Sequence, residues 1–123
     1  MLDPLARAAQ LQHRAAAKGF DWPDAEGVWA KVREELDELA AAGEDAQHRA
    51  EELGDLLFAV VNLARHLGVE PTEAMLAANA KFERRFAYVE QVMAAADRPM
   101  NAETLDEMDA AWEAAKRAER SPV

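Results

Sequence analysis

Residues 51–68 read EELGDLLFAVVNLARHLG, and this stretch decides the fold. Leu53, Leu56, Leu57, Phe58, Val60, Val61, Leu63 and Leu67 fall at nearly every angle around a helix, leaving few polar positions along it. Such a helix is expected to be buried on several sides, as a central helix or one that also packs against a second subunit. The rest of the chain agrees with a helical reading. Of 123 residues 29 are Ala, none is Ile, and Val plus Thr contribute only ten, so the best helix former is abundant while the β-branched residues of a sheet are scarce. The expected fold class is all-α, a single domain over residues 1–123.

Outward from that helix, capping residues, prolines and glycines mark about five segments. The first runs from Asp3-Pro4 to Gly19, and Phe20-Asp21-Trp22-Pro23 connects it to a second, capped by Asp24 and ending near Gly43. The third begins around Asp45 and ends at Gly68. A fourth opens at Pro71-Thr72 and continues to about Ala96, where Asp97-Arg98-Pro99 breaks it. Asn101 or Thr104 caps a fifth that ends near Arg120. Helix two carries an apolar stripe of Val28, Val32, Leu36 and Leu39, and helix four one of Met75, Phe82, Phe86, Val89 and Met93. Trp22 and Trp29 read as packing residues at the entrance to helix two.

Charge and composition limit the partners. A net charge of −10 repels phosphate backbones, so no nucleic-acid role is expected. The absence of Cys excludes a disulfide framework or a thiolate metal site and fits a cytoplasmic setting. The opening MLDPLARAAQ lacks the basic start and apolar stretch of a signal peptide, and the longest apolar run, Leu56 to Val61, is far short of a membrane span.

Nine acids and a single Arg, Arg49, lie between Glu34 and Asp55. At about 100° per residue, Glu35 and Glu38 share one helix face, and Glu52 and Asp55 repeat that spacing on the next helix. Glu35 borders an apolar stripe, and Asp55 stands in Leu53-Gly54-Asp55-Leu56-Leu57-Phe58, where burial is expected. Acids converging from two helices repel one another unless a cation lies between them, and oxygen-only ligands point to Mg²⁺ or Mn²⁺. A di-iron centre would need two Glu-x-x-His motifs, which this sequence lacks. A solvated acidic face, serving an adaptor for a basic partner, is the non-enzymatic alternative.

Glu34-Glu35-Leu36-Asp37-Glu38, thirteen residues, then Glu52-Leu53-Gly54-Asp55 resembles the EExxE…ExxD signature of the all-α nucleoside triphosphate pyrophosphohydrolases. Lys18-Gly19-Phe20-Asp21-Trp22, Val28-Trp29-Ala30-Lys31-Val32, Asn62-Leu63-Ala64-Arg65 and Asn79-Ala80-Lys81-Phe82-Glu83-Arg84-Arg85-Phe86 resemble the MazG branch, with a likeness that extends from about residue 5 to 117. The resemblance is to the catalytic C-terminal domain of longer, two-domain MazG proteins. It implies a four-helix-bundle-like core that dimerises, and cleavage of a nucleoside triphosphate between the α and β phosphates to the monophosphate and pyrophosphate. It further implies that Glu35, Glu38, Glu52 and Asp55 hold Mg²⁺, which lowers the pKa of the attacking water. Glu34 is then a base or a ligand for a further ion. Lys81 and Arg85, one turn apart, are expected on the phosphates, and Lys31, one turn before Glu35, is a further phosphate candidate. Trp112 either packs with Leu105, Met108 and Ala115 or contacts the nucleotide, and Asn62, two turns after Asp55, orients a ligand or the base. His48 and Asn79 are weaker site candidates. A narrower substrate, dUTP or a modified nucleotide, is the alternative within the same scaffold.

Overall fold

The computed structural model describes residues 3–120, which form five α-helices and one 3₁₀ turn with no strand among them. The chain divides into two compact units, Met1–Met75 and Leu76–Val123. No helix of the described residues is long and apolar enough to cross a membrane.

The first unit contains α1 (Pro4–Ala16), α2 (Ala25–Ala41), α3 (Ala46–His66) and the opening turn of α4 (Pro71–Ala95). Each of the first three starts on an aspartate whose side chain accepts from orphan backbone N–H groups: Asp3 from Leu5 and Ala6, Asp24 from Glu26 and Gly27, and Asp45 from Gln47. The chain leaves these helices through Gly19, Gly43 and Gly68, all in the left-handed region at φ of 88°, 70° and 72°. The expected helix boundaries therefore hold to within a few residues. Because only the short turn through Gly43 separates α2 from α3 and the two share the most extensive packing in the molecule, they form an antiparallel hairpin. α1 lies against α3, and Thr72 Oγ1 bonds the Asp3 carboxylate at 3.2 Å, tying the start of α4 to the start of α1.

Within one chain α3 is not the fully covered central helix, one of the two expectations. Ala59, Val61 and Leu63 are buried, but Leu53, Leu57 and Val60 are each about half exposed. α1 and α2 cover one face of α3 within this unit, fewer neighbours than a helix apolar all round requires. The buried face of α2 is also rotated from the expected stripe. It runs through Val28, Glu35 and Ala42 with Val32 and Leu39 beside them, while Leu36 and Trp29 are exposed. A carboxylate thus occupies the centre of a core-facing surface.

In the second unit α4 packs on α5 (Leu105–Arg120) through Val89, Met93 and Ala111, with Val92, Met108 and Trp112 against them. Asp97, at φ 54°, ends α4, and Asn101 with Thr104 forms a reciprocal capping box over the 3₁₀ turn that leads into α5. Phe82 and Phe86 of the expected stripe are stacked at 5.8 Å but partly exposed, and Leu105 is exposed, so Trp112 packs without it.

Candidate metal centre

Glu35 of α2 and Glu52 and Asp55 of α3 bring carboxylate oxygens within 4.8 Å of one another. The hairpin makes this possible, since a residue late in α2 faces one early in α3. Glu35 is buried and Glu52 half-buried, whereas Asp55 is exposed, contrary to the burial expected from its apolar neighbours. Those neighbours, Leu53 and Leu57, are themselves on the uncovered side of α3.

The oxygens of this cluster are incompletely satisfied. Glu35 Oε1 takes an ion pair from Lys31 Nζ at 2.9 Å, and Glu52 Oε1 lies 3.3 Å from His48 Nε2. Glu35 Oε2 and Glu52 Oε2 are buried with no hydrogen-bond partner. A buried carboxylate oxygen without a donor is costly, and two in one cluster of three acids fit a site that holds a cation. Glu38, exposed and outside the tight cluster, still feels it: the charges of Glu35 and then Glu52 raise its carboxyl above the ordinary value. Lys31 is held above its usual range by its hydrogen bond to Glu35, against desolvation. Glu34 is exposed at the outer side of Lys31, 3.6 Å from Nζ.

Beside the carboxylates a cavity of about 800 Å³ opens within the first unit. Leu11, Phe20, Trp22 and Phe58 give it an apolar wall, and Gln12, Asp21, Lys31, Glu35, Asp55, Asn62 and Arg65 supply polar groups. Arg65 is the hub of the outer rim. Its guanidinium reaches Asp21 at 2.6 Å and the Asn62 side-chain oxygen at 2.8 Å, and His66 Nε2 lies 2.9 Å from the same Asp21 oxygen. These partners, Arg65 first, hold the Asp21 carboxyl far below the usual carboxylate range. Sequence reasoning missed Gln12, Asp21, Arg65 and His66. For Gln12 a signal existed: it falls in register with Leu5, Ala8 and Ala15 on the apolar face of α1, where a polar residue needs a reason.

The remaining predicted residues lie in the second unit. Arg85 Nε donates to Glu119 at 2.9 Å, and its guanidinium lies 5.7 Å from the centre of the Trp112 ring. Trp112 also meets Phe82 at 5.2 Å, so its ring serves core packing and the seating of Arg85 together. Lys81 and Asn79 are exposed.

Residues 24–89 match the profile of the MazG nucleotide pyrophosphohydrolase domain. The chain belongs to the MazG family. It is 46% identical over 122 residues to the nucleoside triphosphate pyrophosphohydrolase of Escherichia coli K12, covering 96% of this chain and 46% of that protein. It is 40% identical to the nucleoside triphosphate pyrophosphohydrolase/pyrophosphatase MazG of Thermotoga maritima over 94% of this chain and 45% of that one. The chain spans about half the length of the curated relatives it matches. The MazG match contains the whole carboxylate cluster together with Lys31, Asn62, Lys81 and Arg85, while Gln12, Asp21 and Trp112 lie outside it.

Proposed function

We propose that this MazG chain is a metal-dependent nucleoside triphosphate pyrophosphohydrolase, releasing a nucleoside monophosphate and pyrophosphate. The observation that carries the reading is the pair of buried, donorless oxygens on Glu35 and Glu52 beside Asp55. Names of relatives similar over nearly all of this chain support the substrate class. Glu35, Glu38, Glu52 and Asp55 are the proposed ligands of Mg²⁺, with Mn²⁺ acceptable to the same oxygen donors. When bound, the ion neutralises phosphate charge and acidifies water for attack at phosphorus. Glu34, exposed next to Lys31, is proposed as the acceptor of the water's proton or as a ligand for a further ion. Lys31 keeps its positive charge and is proposed to steady a phosphate oxygen, Lys81 and Arg85 take the charge of the departing pyrophosphate, and Trp112 seats Arg85 and either contacts the nucleotide as well or only packs the core. Asn62 addresses the rest of the nucleotide.

We further propose one domain that works in the cytoplasm as a homodimer. The half-exposed Leu53, Leu57 and Val60 of α3 support an apolar interface, which light scattering after gel filtration tests. The activity is tested with a nucleotide panel, with and without Mg²⁺, resolving monophosphate plus pyrophosphate from diphosphate plus phosphate. Metal-dependent pyrophosphate, lost in Glu38→Ala and Asp55→Ala, is the expected result. No turnover on any nucleotide of the panel would sink the general hydrolase reading and leave a hydrolase for a narrow, unusual substrate or an acidic binding module.

A further inference from the structure

The two least exposed acids of the cluster are met in the same way on different helices. On α2, Lys31 stands one turn before Glu35, and its Nζ pairs with Oε1 at 2.9 Å. On α3, His48 stands one turn before Glu52, and its Nε2 lies 3.3 Å from Oε1. In both carboxylates Oε2 is the oxygen left buried without a hydrogen-bond partner. Because α2 and α3 run antiparallel, the two bases bracket the acids from opposite ends of the hairpin.

The sequence sets up this arrangement on α3. His48, Glu52 and Asp55 fall at i, i+4 and i+7, a single stripe, so the imidazole shares its face with two of the clustered acids. The last torsion of a glutamate is broad, and its carboxylate has no fixed direction until one oxygen is engaged. Engaging Oε1 settles where Oε2 points. Lys31 does this for Glu35 with a full positive charge, which opposes a cation at the same carboxylate. A neutral imidazole with its proton on Nε2 offers one N–H and no charge, so it can steady Glu52 without that opposition. The His48 side chain is half exposed, and a contact so placed adds little to the stability of the fold. Contacts of this kind are commonly long in the free protein and shorten when the ligand binds.

We infer that His48 is a positioning residue of the metal centre, steadying Glu52 through the contact of Nε2 with Oε1 and so aiming Oε2 at a divalent cation shared with Glu35 and Asp55. The inference rests on the metal-dependent reading above and gives a role to a residue which that reading leaves unassigned. The ring acts through Glu52 and is no ligand itself, since it stands outside the three acids whose oxygens come within 4.8 Å of one another.

The test uses the full chain at pH 8 and two readouts that need no turnover: calorimetric titration with Mg²⁺, and the fall of the free Mn²⁺ electron paramagnetic resonance signal on binding. His48→Ala is expected to weaken affinity for both ions about tenfold or more. His48→Gln, whose side-chain N–H reaches an acid one turn on, should recover most of it. Far-ultraviolet circular dichroism and the melt in EDTA should match the parent in both variants, as suits a half-exposed position. Equal or tighter binding in His48→Ala, or a His48→Gln variant as weak as His48→Ala, overturns the inference. So does a nitrogen coupling to bound Mn²⁺ that vanishes in His48→Ala, which would make the ring a ligand. A parent chain that binds neither ion overturns the metal-dependent reading as well. A parent that binds both, with a His48→Ala variant that binds them equally, leaves that reading standing and removes only the role of His48.

Discussion

Lys31 Nζ and the Glu35 carboxylate meet at 2.9 Å on the buried face of α2, so the most deeply buried acid of the cluster is half neutralised by a cation of the same helix. The other half of that carboxylate has no partner. This division explains how a chain of net charge −10 can fold with an acid in its core and still offer that acid to a ligand.

Lys31→Met separates the two roles. Removing the ammonium leaves Glu35 uncompensated and is expected to lower metal-free stability by about 1–2 kcal/mol, below the figure for a fully buried pair because Lys31 is partly exposed. Affinity for Mg²⁺ should rise in the same variant as a competing charge disappears. Urea denaturation in EDTA and a calorimetric Mg²⁺ titration read the two effects.

Metal removal should cost stability. A cation that binds only the folded chain at a hundred times its Kd contributes about 2.7 kcal/mol, on the order of 10 °C in a chain of this size. Thermal melts with and without Mg²⁺ should show that increment, and Asp55→Asn should abolish it. Because Asp55 is exposed, the EDTA melt of the variant should match the parent within about 0.5 kcal/mol.

Arg85→Ala is expected to raise KM for the triphosphate about tenfold or more, with a stability cost of about 1 kcal/mol from the lost Glu119 pair and Trp112 contact. Arg85→Lys should recover part of the KM but not the planar stacking of a guanidinium on the ring, leaving only the cation–π attraction of an ammonium. Steady-state kinetics on both variants decides the point.

Asp21 should give the rim of the cavity an acid limit. Its folded carboxyl is depressed, so its contribution is complete above the unfolded value near 4 and is lost as pH falls through the folded value. Asp21→Asn should therefore be less stable than the parent at pH 7, with the gap closing as pH falls below about 4. Chemical denaturation at a series of pH values measures it.

Gly27→Ala tests the seat of Trp22. The methyl must displace the indole, yet alanine suits a helix better than glycine by roughly 1 kcal/mol, so overall stability should change little. The near-ultraviolet circular dichroism should change markedly.

Helix boundaries and the carboxylate motif were legible in the sequence because their causes are local: aspartate caps, glycine exits and the three-residue spacing of acids on a helix face. Burial was less so. Asp55 reads as buried because Leu53, Leu57 and Val60 surround it, and periodicity cannot say how many neighbours a helix has to cover such residues. Leu36 reads as core and is exposed, because Glu35, paired to Lys31, takes the inward position that hydrophobicity alone would give to leucine. The cavity was invisible for another reason. Asp21, Asn62 and Arg65 come from a loop and a helix more than forty residues apart, and only tertiary packing joins them.

Glu119 gives Arg85 a resident counter-ion and lies 3.6 Å from Arg84 as well. An intramolecular carboxylate acts at a high effective concentration, so any anion from solution must outcompete it rather than fill an open place. Chloride or a lone monophosphate does so poorly, whereas a chain of linked phosphates brings several charges at once. If Arg85 meets phosphate as proposed, the helix pair would work as a charge-density filter: cations that could attract any polyanion stay paired with Glu119 until one of sufficient valence arrives.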